Sequence, residues 1–132
     1  MDEQMIEVKN DTDIIRVRRI VREMAVEIGF GELDQTRIIT AISELTRNII
    51  VHASSGKVLI KEVQKTGKRG IEITCADEGP GIVDIELALK DGYTTSGGLG
   101  IGMTGARRLM DEFKVESVVG SGTTVIVKKW MK

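Results

Sequence analysis

Several residue types are scarce in this sequence of 132 residues, and each scarcity excludes a class of protein. A single cysteine cannot form an internal disulfide, and a single proline beside 41% hydrophobic residues excludes a disordered or collagen-like chain. Two Phe, one Tyr and one Trp are too few for the base-stacking surface of a single-stranded nucleic-acid reader. The apolar runs are far shorter than the ~18 residues of a membrane span.

An excess of charge of either sign is also missing. Nineteen Lys and Arg face twenty Asp and Glu, so no net field draws the molecule to nucleic acid or to anionic lipid. The N-terminal Met-Asp-Glu lacks the basic and apolar stretches of a signal peptide. We therefore expect a cytoplasmic protein with neither a nucleic-acid nor a membrane partner. The length predicts a single domain over residues 1–132.

Helical spacing of apolar residues predicts two amphipathic helices in the first half of the chain. The first has an N-cap within Asp11–Asp13 and ends at Gly29, and the second runs from about Asp34 to Val51. The polar face of the first helix carries four arginines, Arg16, Arg18, Arg19 and Arg22. This basic face is either solvated or a docking surface for an acidic partner.

The remaining pattern predicts short strands joined by turns, with one more helix. The predicted elements are an edge strand within residues 1–9, a hairpin of Val58–Val63 and Ile71–Ala76 around the loop Gln64–Gly70, a helix near Thr104–Phe113, and closing strands Val115–Val119 and Thr123–Trp130. Together they predict an α/β two-layer sandwich, in which a mixed, largely antiparallel sheet carries helices on one face.

A glycine-dense segment precedes the last helix. A glycine-rich loop that runs into a helix N-terminus is an anion site, because glycine lets backbone N–H groups approach a phosphate. Gly97–Gly105 has this form, although a flexible loop would show the same composition. Gly100–Gly105 matches G-x-G-x-x-G, but it follows polar residues where a dinucleotide fold needs a strand. A Walker A loop is absent, because no Gly-Lys-Ser or Gly-Lys-Thr occurs.

Three polar side chains have the chemistry to serve a nucleotide. Asp77 ends an apolar strand just before a Gly-Pro-Gly turn, where a fixed carboxylate can accept a hydrogen bond from an exocyclic amine. Glu44 and Asn48 are four residues apart, so they share one face of the second helix at the border of its apolar stripe. They offer a carboxylate base and a neutral oxygen ligand suited to Mg²⁺. Each feature alone also occurs by chance.

Taken in order, four motifs resemble a known set of nucleotide-binding boxes. They are Glu44-x-x-x-Asn48, Asp77-x-Gly79-x-Gly81, Gly98-Leu99-Gly100-x-Gly102 and Gly120-x-Gly122-Thr123. The succession resembles the GHKL superfamily of gyrase, Hsp90-type chaperones, histidine kinases and MutL-like proteins, and it covers residues 35–130. The resemblance implies a Bergerat-type ATP-binding fold that uses ATP and Mg²⁺.

The same resemblance implies a role for each matching residue. It makes Glu44 the catalytic base, Asn48 the Mg²⁺ ligand and Asp77 the acceptor of the adenine amine, with Thr123 supporting Asp77 through its hydroxyl. The backbone-rich segments contact the base and the phosphates: Gly79, Gly81, Gly98, Leu99, Gly100, Ile101 and Gly102.

The length narrows the superfamily to its small members. It leaves no room for the added domains of gyrase-like, MutL-like or chaperone proteins, and the only histidine, His52, lies outside any phosphoacceptor helix pair. The stretches Ile42–Ile49, Asp91–Gly100 and Arg108–Phe113 resemble the stressosome serine/threonine kinases of the anti-sigma-factor-kinase-like group.

This closer resemblance implies a partner-switch function. The kinase would phosphorylate STAS-domain scaffold or antagonist proteins and, once released, activate a PP2C-type phosphatase by binding it. Two alternatives stay open: a non-catalytic, ATP-gated binding module, and an anti-sigma factor that holds a sigma factor.

Overall fold

The computed structural model describes residues 3–79 and 100–132, in which three helices cover one face of a five-stranded sheet. The elements in chain order are β1 Gln4–Val8, α1 Asp11–Ile28, α2 Glu32–Ala53, β2 Gly56–Lys65, β3 Lys68–Asp77, α3 Gly100–Leu109, β4 Glu112–Val118 and β5 Gly122–Trp130. None of the helices in these residues is long and apolar enough to cross a membrane.

The sheet has the strand order β1-β2-β3-β5-β4, and every pairing among these strands is antiparallel. One row of buried side chains runs across four of the strands: Ile6, Val58, Cys75 and Val125. This row and its neighbours pack under the helices and form the core, so the predicted two-layer sandwich is confirmed.

The N-cap of helix α1 lies one residue before the predicted range Asp11–Asp13. The cap is Asn10, whose Oδ1 accepts the Asp13 backbone N–H at 3.2 Å, while Asp13 Oδ2 accepts the Lys9 backbone N–H at 2.9 Å. These reciprocal bonds satisfy backbone donors that the first turn leaves free. The assignment of the cap to Asp11–Asp13 is therefore wrong, because Asp13 is the reciprocal acceptor. The helix ends as predicted at Gly29, whose φ is +116°.

The β2–β3 hairpin is tighter than predicted. Its turn contains only Thr66 and Gly67, with φ values of +47° and +78°. Two central residues with positive φ match the twist of the strands on either side. The predicted loop Gln64–Gly70 is too long, because its polar residues belong to the strands.

Helix α3 lies four residues earlier than its predicted start at Thr104 and ends at Leu109. Phe113, predicted on this helix, lies in β4 instead. The buried Lys129 of β5 marks the boundary, because its Nζ donates to the Leu109 carbonyl at 2.8 Å. The same Nζ lies 3.9 Å from Asp34 Oδ1 and 3.7 Å from Asp111 Oδ1, so it joins the end of α3 to the start of α2.

The outer face of the sheet is polar. On β3, Glu72 pairs with Lys61 of β2 at 3.2 Å and with Lys128 of β5 at 3.5 Å. Opposite charges on neighbouring strands favour this register and keep the face solvated. The opposite face of the sheet packs against the helices.

Candidate functional site

Asp77 is the last residue of β3, and among the described residues backbone N–H groups bind only one of its two carboxylate oxygens. Its Oδ1 accepts the backbone N–H of Gly79 at 2.9 Å and that of Thr123 at 3.3 Å. Within the described residues, Oδ2 accepts no hydrogen bond. The side chain is half-buried. One oxygen therefore fixes the carboxylate, and the other remains available as an acceptor.

Thr123 supports Asp77 through its backbone rather than through its side chain. The Thr123 hydroxyl lies 2.9 Å from the Ser117 hydroxyl across the β4–β5 pair. The implied hydroxyl support of Asp77 is therefore wrong in its donor, although the pairing of the two residues is right. Because the donor is a backbone N–H, any non-proline residue at this position retains the hydrogen bond to Asp77.

The backbone packs so closely around Asp77 that three glycines have no room for a side chain. A Cβ on Gly122 would overlap the Asp77 carbonyl oxygen, and Gly122 has a φ of +120°. A Cβ on Gly79 would lie 2.6 Å from Ala53 Cβ, and one on Gly56 would lie 2.7 Å from Ile49 Cγ2. The C-terminal end of α2 and the β4–β5 turn thus meet at the end of β3.

Glu44 and Asn48 lie on α2, nine and five residues before the Ala53 that touches Gly79. Asn48 Oδ1 is the buried side-chain oxygen that lacks a hydrogen-bond partner among the described residues. A buried oxygen without a partner costs free energy, about 1–3 kcal/mol, so this oxygen is a candidate ligand for a bound group. Glu44 is 39% exposed, and its Oε1 lies 3.6 Å from Nη1 of Arg47.

Helix α3 packs against α2. Its first turn contains Gly100, Ile101 and Gly102, whose backbone N–H groups have no acceptor within the helix. The buried Met103 and Ala106 fix the helix from below. Free N–H groups and the helix dipole favour a phosphate at this end. The predicted site residues Gly81, Gly98 and Leu99 lie outside the described residues.

The chain is similar in sequence to known ATPase-domain proteins. Residues 8–129 match the family model described as a histidine kinase-like ATPase domain. The chain belongs to this ATPase-domain family. It is 47% identical to the serine/threonine-protein kinase RsbT of Bacillus subtilis (strain 168), over 99% of this chain and 98% of that protein. It is 34% identical to the anti-sigma F factor of Thermoanaerobacter sp. (strain X514), over 86% of this chain and 82% of that protein.

Solved structures of the histidine kinase-like ATPase family share the fold. The mycobacterial sensor histidine kinase MprB aligns with a TM-score of 0.60 and 17% identity, over 97% of each chain. The predicted GHKL fold and the predicted resemblance to a serine/threonine kinase of the RsbT type are therefore confirmed. With them, the predicted enzyme class is confirmed as a serine/threonine-protein kinase that uses ATP.

Two glycines beside Asp77 have no role that the sequence alone predicts. Gly122 stands in the last of the four motifs, and Gly56 is the first residue of β2. Both are required because the backbone of residues 76 and 77 passes directly beside them. The available signal for Gly122 was a Gly-Ser-Gly hairpin turn, which indicates positive φ but not a close approach.

The buried thiol of Cys75, two residues before Asp77, predicts an alkaline limit to stability. Burial, with a smaller contribution from the Asp77 charge, raises the pKa of the Cys75 thiol to about 12. In the unfolded chain the Cys75 thiol has a pKa of about 8.5, so between the two pKa values the thiol loses its proton in the unfolded chain and keeps it in the folded one. The contribution of the thiol to stability is fully present below the pKa that it has in the unfolded chain. Above that pKa, the free energy of unfolding falls by up to about 1.4 kcal/mol per pH unit.

Urea unfolding at pH 8, 9 and 10 measures this loss, with Cys75→Ala as the control for every other titrating group. The wild-type free energy of unfolding should fall more steeply with pH than that of Cys75→Ala. Parallel pH dependences of the two proteins would show that the thiol does not contribute.

Proposed function

We propose that the chain is a Mg-ATP-dependent serine/threonine kinase of a bacterial stress-response partner switch, acting as a single cytoplasmic domain over residues 1–132. The observation that carries the proposal is the buried Oδ1 of Asn48 on α2, which has no hydrogen-bond partner among the described residues. A neutral amide oxygen is a ligand that Mg²⁺ accepts, and Mg²⁺ completes its shell with phosphate oxygens and water. Asn48 therefore fits the role of metal ligand.

The nucleotide is proposed to lie with its base at Asp77 and its phosphates at α3. The Oδ2 of Asp77, which accepts no hydrogen bond among the described residues, accepts the adenine amine, a donor that guanine lacks at that position, and Gly79 and Gly81 are proposed as further contacts of the base. The phosphates contact the segment Gly98, Leu99, Gly100, Ile101 and Gly102, where the helix N-terminus supplies N–H donors. Thr123 keeps Asp77 in place through its N–H.

Glu44 is proposed to accept the proton of the acceptor hydroxyl. The hydroxyl oxygen then forms the new bond to the γ-phosphorus, the bond to the β–γ bridging oxygen breaks, and ADP leaves. Half exposure lets the Glu44 carboxylate meet an incoming protein, and Arg47 at 3.6 Å orients it beforehand. When bound, Mg²⁺ neutralises charge that develops on the phosphate oxygens.

The proposed acceptors are STAS-domain scaffold and antagonist proteins, and the released kinase is proposed to activate a PP2C-type phosphatase by binding it. The support for these partners is the similarity over 99% of the chain to a kinase named RsbT. A second candidate is an anti-sigma factor, which the 34% identity to an anti-sigma F factor favours. Co-purification of a sigma factor with the chain would support that candidate.

The test is incubation with labelled ATP, Mg²⁺ and candidate STAS-domain proteins, with the modified residue mapped by mass spectrometry. Wild-type protein should transfer phosphate, EDTA should stop the transfer, and Asn48→Ala should lose most of it. Gln64→Ala, which removes an exposed amide from β2, is the control. Transfer by Asn48→Ala at the wild-type rate would contradict the metal role. Wild-type protein that transfers no phosphate but activates the phosphatase only in the presence of ATP would favour a non-catalytic, ATP-gated binding module.

A further inference from the structure

Helix α1 presents an outward ridge that the nucleotide site does not use. At 100° per residue, the exposed residues that form this ridge lie within about 100° of arc, outside the buried stripe that contains Val17 and Val21. We define the α1 ridge as Ile15, Arg18, Arg19, Arg22 and Val26, all of which are exposed. From Ile15 to Val26 it extends for about 16 Å, or three helical turns.

The arginines of the ridge have no acidic partner in the described part of the chain. Other helical arginines do have one: Arg16 lies 3.6 Å from Asp13, and Arg37 lies 2.9 Å from Asp34. Arg18, Arg19 and Arg22 instead form a cluster of like charges on a molecule whose net charge is only -1. Such a cluster favours the approach of carboxylates.

Aliphatic side chains lie at both ends of this cluster. Ile15 is 63% exposed and Val26 is 55% exposed. Protein interfaces combine apolar contacts with arginines, and here both occur on one face of the same helix. A surface for nucleic acid would instead need many more cations than three. The α1 ridge therefore fits a protein partner that carries carboxylates between apolar residues.

The position of the ridge decides which partner fits. Helix α2 packs against both α1 and α3, whereas α1 and α3 make at most slight contact with each other. An acceptor serine must reach the phosphates at the start of α3, so it approaches beyond α2 from the ridge. A protein that is bound without being phosphorylated has no such requirement.

We propose that the α1 ridge is the docking surface for an acidic amphipathic helix of the PP2C-type phosphatase partner. This inference rests on the proposed function, and it assigns the two partners to different faces of the kinase. The carboxylates of the partner helix pair with Arg18, Arg19 and Arg22. Apolar side chains of that helix cover Ile15 and Val26.

The experiment compares the double variant Arg19→Glu/Arg22→Glu with the wild type. A matched control, Lys68→Glu/Lys114→Glu, makes the same charge change on exposed residues of the outer sheet face. Calorimetry measures the affinity for the purified PP2C-type phosphatase, and the labelled-ATP assay measures transfer to the STAS-domain acceptor. We expect the ridge variant to bind the phosphatase roughly 30-fold more weakly or worse, with transfer unchanged, and the control to bind normally.

A milder variant protects the test from misfolding. Arg18→Gln/Arg19→Gln/Arg22→Gln keeps helix-forming side chains and should lower both the phosphatase affinity and its dependence on salt. Wild-type phosphatase affinity in both ridge variants would overturn the docking surface. The docking surface would also be overturned by a ridge variant that no longer transfers phosphate to the acceptor but still binds the phosphatase. The same holds if the substitutions change only the dimerisation of the chain or only its binding to phosphatidylserine vesicles.

Failure of the proposed function has a different signature. If wild-type protein transfers no phosphate to any STAS-domain acceptor, the kinase proposal falls. If it transfers phosphate but does not bind the phosphatase, only the docking proposal is overturned.

Discussion

Glu44→Gln is expected to lower the rate of phosphate transfer about 10²- to 10⁴-fold, while ATP binding is retained. Glutamine has the size of glutamate and can orient a hydroxyl, but it cannot accept a proton from it. Because Glu44 is 39% exposed and its described partner Arg47 is itself on the surface, the substitution should leave the fold intact. Single-turnover transfer to the acceptor and nucleotide binding, measured on the same preparation, separate the two effects.

The control for this prediction is Glu32→Gln, the same change on an exposed residue in the first turn of α2. It should transfer phosphate at the wild-type rate. Unaltered turnover in Glu44→Gln would show that the proton goes elsewhere. A loss of ATP binding in that variant would assign Glu44 to binding rather than to proton transfer.

Gly122→Ala is expected to destabilise the protein by about 3 kcal/mol or more and to weaken nucleotide binding. Two causes add. The φ of +120° is unfavourable for alanine, and the new Cβ would overlap the Asp77 carbonyl oxygen, which is backbone and cannot rotate away. Moving that carbonyl also displaces the carboxylate that Thr123 and Gly79 hold.

Gly120→Ala separates these two causes. Gly120 also has a positive φ, +83°, but nothing lies within 4 Å of the position that its Cβ would take. Its substitution should cost only the conformational penalty, about 1 kcal/mol. Urea unfolding and nucleotide titration of both variants give the comparison. Equal losses in the two variants would rule out the close approach as a cause.

Helical periodicity located α1 and α2 correctly because both helices bury a continuous stripe. Their ends were harder to predict, since caps depend on local hydrogen bonds. Asn10 is the cap, although three good capping residues follow it, because the carboxylate of Asp13 accepts the reciprocal hydrogen bond. Helix α3 was displaced because Phe113 continues the helical spacing, while the buried Lys129 ends the helix at Leu109 through a contact twenty residues away.

The candidate site was predictable where a motif specifies a side chain and less so where the backbone provides the contact. Residue type and spacing point to Asp77 and Asn48, and in the described part of the chain each has a side-chain oxygen without a hydrogen-bond partner; their roles toward a nucleotide stay predictions. The N–H of Thr123 was missed because every residue has one, so residue type carries no signal. The steric role of Gly122 was also missed, because it depends on a strand 45 residues earlier in the chain.

The anchoring of Asp77 by backbone groups has a thermodynamic consequence. Its position is set during folding by the end of α2, the β4–β5 turn and its own strand, all of which belong to the described residues 49–79 and 117–123. A donor that binds the remaining oxygen therefore does not have to immobilise the carboxylate. The conformational entropy of that side chain, about 0.5–1.5 kcal/mol, is already lost in the free protein, and the acceptor is preorganised.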